Sequence, residues 1–235
     1  MDFALIWSSP RIILIDVALA GDNAVVIAMA ARTLPKHQRN KAIVFGAGAA
    51  IAMRVSMTVI VTYLLRTPFL STIGGAVVLW IAVKLLVEDM EAEGNERHVR
   101  NFWHAIWVIA VADFVMSTDN MLAVAGASGG AWERILFGLG LSIPIIMFCS
   151  RLIANLMDRY PILAELGAAI LGWTGGEMIV DDAWIKPWLG AQLGWAKWLL
   201  PIFCAVGVVA LGRTLGRLQS TSEAERPAPE PTPHP

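Results

Sequence analysis

Asp16-Val17-Ala18-Leu19-Ala20-Gly21-Asp22-Asn23 lies inside an apolar run long enough to cross a bilayer. Its pattern returns about a hundred residues later as Asp113-Phe114-Val115-Met116-Ser117-Thr118-Asp119-Asn120. The spacing is the same in both copies: Asp, five residues, Asp-Asn. A carboxylate at the centre of the hydrocarbon is disfavoured by roughly 2.5–3.5 kcal/mol on insertion scales. Four of them, placed twice in matching positions, are expected to be used.

The chain around these motifs is that of a polytopic membrane protein. It has 235 residues, 57% hydrophobic and 16% charged, with a mean hydropathy of +0.62, well outside the soluble range. The net charge of -1 averages a basic face and an acidic connection and points to no partner. Cys149 and Cys204 both sit in apolar runs and read as small buried hydrophobes, not as a disulfide or metal framework. The N-terminus, with Asp2 where a basic region would stand, does not read as a signal peptide.

Seven apolar runs can span about 30 Å of hydrocarbon at about 1.5 Å per residue. They are Ile12–Ala31, Lys41–Leu65, Phe69–Val87, Trp103–Gly126, Ile135–Leu156, Ile162–Val180 and Trp195–Leu215. Eleven Lys and Arg fall in the connections on one side and five on the other. The richer side is expected to be cytoplasmic, which puts the N-terminus outside and the C-terminus inside. The cytoplasmic Glu88 to Arg100 connection carries Glu88, Asp89, Glu91, Glu93 and Glu96. It reads as a solvated loop, or alternatively as a funnel that concentrates cations. The tail after Arg217, rich in Pro, Glu, Ser and Thr, has little to bury and is expected to be disordered.

The repeat extends beyond the Asp motif. Phe45-Gly46-Ala47-Gly48 answers Phe137-Gly138-Leu139-Gly140, Ile73-Gly74-Gly75-Ala76 answers Leu166-Gly167-Ala168-Ala169, and Glu88-Asp89 answers Asp181-Asp182. The expected fold is therefore all-α, with seven transmembrane helices. Two three-helix repeats cover about 12–87 and 103–180, and one extra C-terminal helix covers about 195–215. Together they make one transport domain over residues 1–217, followed by the tail at 218–235. An odd number of spans per repeat inverts the second copy, the plan of many secondary transporters, whose sites lie near the midplane. The paired glycines can pack helices within or between chains, so a homo-oligomer is compatible with the sequence.

Asp16 and Asn23 share a helical face, as do Asp113 and Asn120; Asp22 and Asp119 lie to one side. A local opening at Gly21 or at Ser117-Thr118 would bring all six residues to one cavity. Carboxylates, carboxamides and hydroxyls are hard oxygen ligands suited to Mn²⁺, Mg²⁺ or Ca²⁺. A thioether from Met29, Met116 or Met121 would favour Mn²⁺, although methionines in such helices are mostly packing. His37, His98, His104 and His234 lie in loops, at a helix start or in the tail, which argues against a Zn²⁺ or Cu⁺ site. Arg54, mid-span, reads as charge-balancing. Lys84 and Glu177 occupy equivalent repeat positions and read as an internal ion pair, with Glu177 alternatively a further ligand or a proton carrier. Protons replacing the metal would spare an emptied site its mutual repulsion, which suggests proton-coupled exchange. No nucleophile–base pair marks an enzyme, no organic cofactor is implied, and the thin loop charges do not suit nucleic acid.

At these motifs the sequence resembles the TerC family, especially its YjbE-like branch, within the wider LysE-type transporter superfamily. The residues that carry the likeness are Asp16 through Gly21-Asp22-Asn23-Ala24-Val25, Asp113 through Ser117-Thr118-Asp119-Asn120, and Gly74-Gly75 with Lys84-Leu85-Leu86. The likeness covers roughly Phe3 to Arg217. It implies an integral protein of the inner (plasma) membrane linked to Mn²⁺ export, with Asp16, Asp22, Asn23, Asp113, Asp119 and Asn120 as metal ligands. Some members are tied to delivering Mn²⁺ to exported enzymes, so a metal-handling scaffold stands beside the exporter, as does export of another small solute.

Overall fold

Apolar residues of high helical propensity, punctuated by Pro35 and Pro161 at turns, yield helices throughout. The computed structural model of the chain describes residues 21–64, 69–94, 101–128, 132–187 and 195–224. These form α1 (Gly21–Arg32), α2 (Lys36–Leu64), α3 (Leu70–Gly94), α4 (Phe102–Ser128), α5 (Trp132–Arg159), α6 (Ile162–Asp181) and α7 (Ala196–Ala224). No strand occurs among the described residues, and the all-α expectation holds.

Among the described residues, three helical stretches are long and apolar enough to cross a membrane: Leu70–Met90, Ile162–Asp181 and Lys197–Leu218. Phe102–Ser117 is a shorter apolar stretch. The outer surface agrees with a lipid solvent. Phe45, Trp80, Trp103, Trp107, Phe148 and Phe203 are all more than half exposed, a density of large apolar groups that water would penalise.

Glycine sets how closely the helices approach. α3 and α6 cross antiparallel, with Gly74 against Met178 and Gly75 against Gly175. A Cβ on Gly75 would stand 2.5 Å from the Gly175 carbonyl oxygen, so only glycine fits at this contact. Gly172 and Gly176 of α6 receive Ala205 and Pro201 of α7, while Gly212 and Gly216 of α7 receive Leu86 and Met90 of α3. α7 therefore packs on both α3 and α6. Gly167 marks the meeting of α1, α5 and α6, where Val25, Met157 and Met29 converge. Gly46 lies against Ile109 of α4, whereas Gly48 faces open space. The core is built from Met29, Ile81, Leu85, Ile109, Met157 and Leu171, each at most 2% exposed.

Three expectations are corrected here. The acidic connection starts later than its composition suggests: α3 runs to Gly94, and Glu88 and Asp89 are buried at 4% and 5% exposure. Asp89 meets Arg32 of α1, while Glu88 stands near Lys84 of its own helix and His104 of α4, so neither is a solvated loop charge. α4 continues unbroken through Ser117-Thr118, where an opening was expected. Instead of meeting a freed backbone group, the Ser117 hydroxyl donates to Asp113 Oδ2 at 3.3 Å. α7 continues to Ala224, so the first residues expected in the disordered tail are helical; the rest of the tail lies outside the described residues.

Candidate functional site

Asp22 opens the described part of α1. Its Oδ1 accepts the backbone N–H of Asn23 at 2.9 Å, tying the carboxylate to the first turn. The side chain is half-buried. Asp113 of α4 and the Thr174 hydroxyl of α6 contribute to its electrostatic surroundings. That hydroxyl also donates to Ile170 O at 3.1 Å, one turn back. One acidic residue from each motif and a hydroxyl from a third helix thus share one electrostatic neighbourhood.

Asp113 is 6% exposed and Ser117, one turn on, is 2% exposed. Asn23 is 2% exposed, and among the described residues neither Nδ2 nor Oδ1 has a hydrogen-bond partner. A buried carboxamide left unsatisfied costs about 1–3 kcal/mol.

Of the other predicted ligands, Asp16 lies outside the described residues. Asp119 and Asn120 belong to α4 by backbone, while their side chains lie outside the described set, as do those of Arg54 and Met121. Met29 and Met116 are core residues. Among the described residues no three His, Cys, Asp or Glu side chains gather into one cluster; what is described of the site is an Asp pair with amide and hydroxyl groups.

Lys84 does not meet Glu177. Its Nζ stands 3.9 Å from Glu88 Oε1, one turn along α3, and 4.9 Å from the Trp80 ring centroid. Glu177 is exposed on another face of α6, beside Asp181, Lys186 and Lys197. Both helices carry a carboxylate four residues further on, Glu88 after Lys84 and Asp181 after Glu177, but only Lys84 is of opposite charge to it and closes on it.

A second polar assembly closes one end of the bundle. Arg32, at the end of α1, places Nη1 2.7 Å from Asp89 Oδ2 of α3 and Nε 3.3 Å from Asp158 Oδ1 of α5. Arg39 of α2 also bonds Asp158, and donates to Leu34 O and Arg32 O at 2.9 Å each, satisfying carbonyls at the α1 end. His104 of α4 stands 3.8 Å from Glu88, and Arg213 of α7 forks onto Glu165 of α6 at 2.8 and 2.5 Å. Sequence reasoning treated Arg32 and Arg39 only as loop charges. Their signal was position: each sits within a turn of a helix end, where acidic partners on other helices also end.

The family model described as "Integral membrane protein TerC family" matches residues 4–220. The chain is 42% identical over 198 residues to YjbE of Bacillus subtilis strain 168, an uncharacterized membrane protein, covering 83% of this chain and 88% of that one. It is 25% identical to YkoY of the same organism, another uncharacterized membrane protein, covering 74% of this chain and 61% of that one. It is also 25% identical to the UPF0053 inner membrane protein YgdQ of Escherichia coli K12, over 72% and 78% of the two chains. No solved structure matches.

Proposed function

Because the chain belongs to the TerC family of integral membrane proteins, we propose that it is a secondary transporter that exports Mn²⁺, with proton coupling, through an acidic site between its two Asp motifs. The observation that carries this reading is the Asn23 carboxamide, buried and, among the described residues, unbonded at both polar atoms, next in the chain to Asp22, with Asp113 in the electrostatic surroundings of that carboxylate. An oxygen-rich, negatively charged site with an unused amide suits a hard divalent cation. It suits an amino acid poorly, since the acidic groups of the two motifs would repel a carboxylate. Asp16, Asp119 and Asn120 complete the ligand set in this reading.

Helix pairing supports an inverted repeat. α2 packs on α4 and α1 packs on α5, contacts that a two-fold exchanging the triplets would interconvert. The register that aligns Gly74 with Gly167 also carries the Gly75–Gly175 contact onto Ala168 and Ala82, both fully buried. Two such halves rocking about a shared site give alternating access. The site lies in the inner (plasma) membrane, with the Arg32–Asp89–Asp158 end cytoplasmic by its excess of basic residues. The role is transport, not catalysis.

Mn²⁺ flux into sealed liposomes containing the purified protein tests this reading. The wild type is expected to carry Mn²⁺, and Asp22→Asn and Asp119→Asn to lose flux while remaining folded. Metal binding by the wild type without flux would overturn autonomous export in favour of a scaffold that hands Mn²⁺ to exported enzymes.

A further inference from the structure

At the end of the bundle opposite Arg32, the outer ends of α6 and α7 enclose a cavity of about 320 Å³. Glu177 and Asp181 line it from α6, Lys186 from the connection, and Lys197 with Trp198 from α7. Lys186 and Asp181 bond each other at 2.9 Å. The other two charges stay apart. Among the described residues Glu177 has no ion pair or hydrogen bond, and Lys197 has none beyond standing 5.5 Å from the Trp198 ring centroid. One anionic and one cationic group thus face the same cavity without satisfying each other.

The surroundings have the layout of a lipid. Trp184, Trp195 and Trp198 are each more than half exposed at this end, where indoles seek the headgroup level. Deeper along the same helices the exposed residues are apolar: Leu166 and Ile170 on α6, Ile202, Phe203 and Val206 on α7. Charges at the rim and an apolar track beneath fit a headgroup with its acyl chains. The four charges sum to zero, so a net-anionic headgroup would leave Glu177 facing a like charge. A choline headgroup has no N–H to donate to Glu177.

We propose that this cavity binds the headgroup of a phospholipid bearing a primary amine, of the phosphatidylethanolamine class. Lys197 meets the phosphate, and Glu177 accepts from the ammonium. The proposal does not depend on which ion the protein carries.

Native mass spectrometry of the full chain in detergent, offered ethanolamine, choline and glycerol phospholipids of identical acyl chains, tests it. The wild type should retain the ethanolamine lipid about five-fold over the other two, the order expected of one partly exposed charge pair. Glu177→Gln should abolish that preference, Glu177→Asp should keep it, and Lys197→Gln should weaken retention of all three. Equal retention by the wild type, a preference for the glycerol lipid, or a preference unchanged in Glu177→Gln would overturn the proposal. Displacement of the bound lipid by millimolar glycerophosphoethanolamine would also overturn it, because the site would then read a soluble headgroup and not a membrane lipid. An unchanged elution volume and melting temperature in the variants separates lost binding from lost folding.

Discussion

Arg32 and Asp89 stand 57 positions apart in the chain and 2.7 Å apart in space, with both side chains 7% exposed. The pair joins the end of α1 to the end of α3, and through Asp158 it also holds α5. Three helices from both triplets are therefore tied at one end of the bundle.

Removing one partner from such a pair leaves buried charge behind. Arg32→Gln is expected to lower stability by about 3–5 kcal/mol, read as a fall in melting temperature in detergent. Arg39→Gln, at a more exposed position, should cost about 1 kcal/mol or less. Equal effects of the two substitutions would contradict the special place of Arg32.

Asn23 separates function from structure. Its unsatisfied amide costs stability, so Asn23→Leu, which removes the amide at similar volume, should leave the metal-free protein as stable or up to about 1–2 kcal/mol more stable. The same change should weaken Mn²⁺ binding by about ten-fold or more, the loss of one ligand. A destabilised variant with unchanged metal affinity would show that the amide serves packing instead.

The α3–α6 crossing depends on a missing Cβ. Gly75→Ala forces a methyl group against the Gly175 carbonyl oxygen and should cost about 1–3 kcal/mol. Gly207→Ala, where a Cβ would meet nothing within 4 Å, should be neutral or stabilising by up to about 1 kcal/mol. Thermal denaturation of the two variants side by side distinguishes a tight crossing from a general intolerance of change in the helices.

Asp182, just past α6, answers to pH. Burial opposes its ionised form, but the N–H groups of Trp184 and Thr72, at 2.9 and 3.0 Å, outweigh that and hold its carboxyl below the ordinary carboxylate range. A depressed folded value means stability is present above the unfolded value of about 3.9 and is lost as pH falls through the folded one. The wild type should lose melting temperature below about pH 4, and Asp182→Asn should show a smaller loss over the same window. Parallel curves for the two proteins would assign the acid sensitivity to other groups.

The helical membrane class was legible without coordinates, because apolar runs of span length leave the backbone few ways to satisfy itself in lipid. The two Asp motifs were legible for a related reason: carboxylates are too costly in such runs to pass unnoticed. Thr174 carried no such signal, since a threonine in a helix is ordinary until Asp22 of another helix comes within reach. Asp89 read as a loop charge because its burial depends on Arg32, brought from a distant part of the chain, and Glu88 read as one because the packing that buries the end of α3 is not a local property. Lys84 and Glu177 occupy equivalent positions in the repeat, yet one meets a carboxylate on its own helix and the other faces the α6–α7 cavity.

Composition and local spacing alone therefore determined that this chain forms apolar helices and carries acidic groups within them, since both follow from each segment's own transfer energy and periodicity. Only the tertiary structure decided which charges are paired, which glycines are crossings and which amide is left unsatisfied. Those depend on close contacts between side chains far apart in sequence, and a helix's own residues do not specify its neighbour.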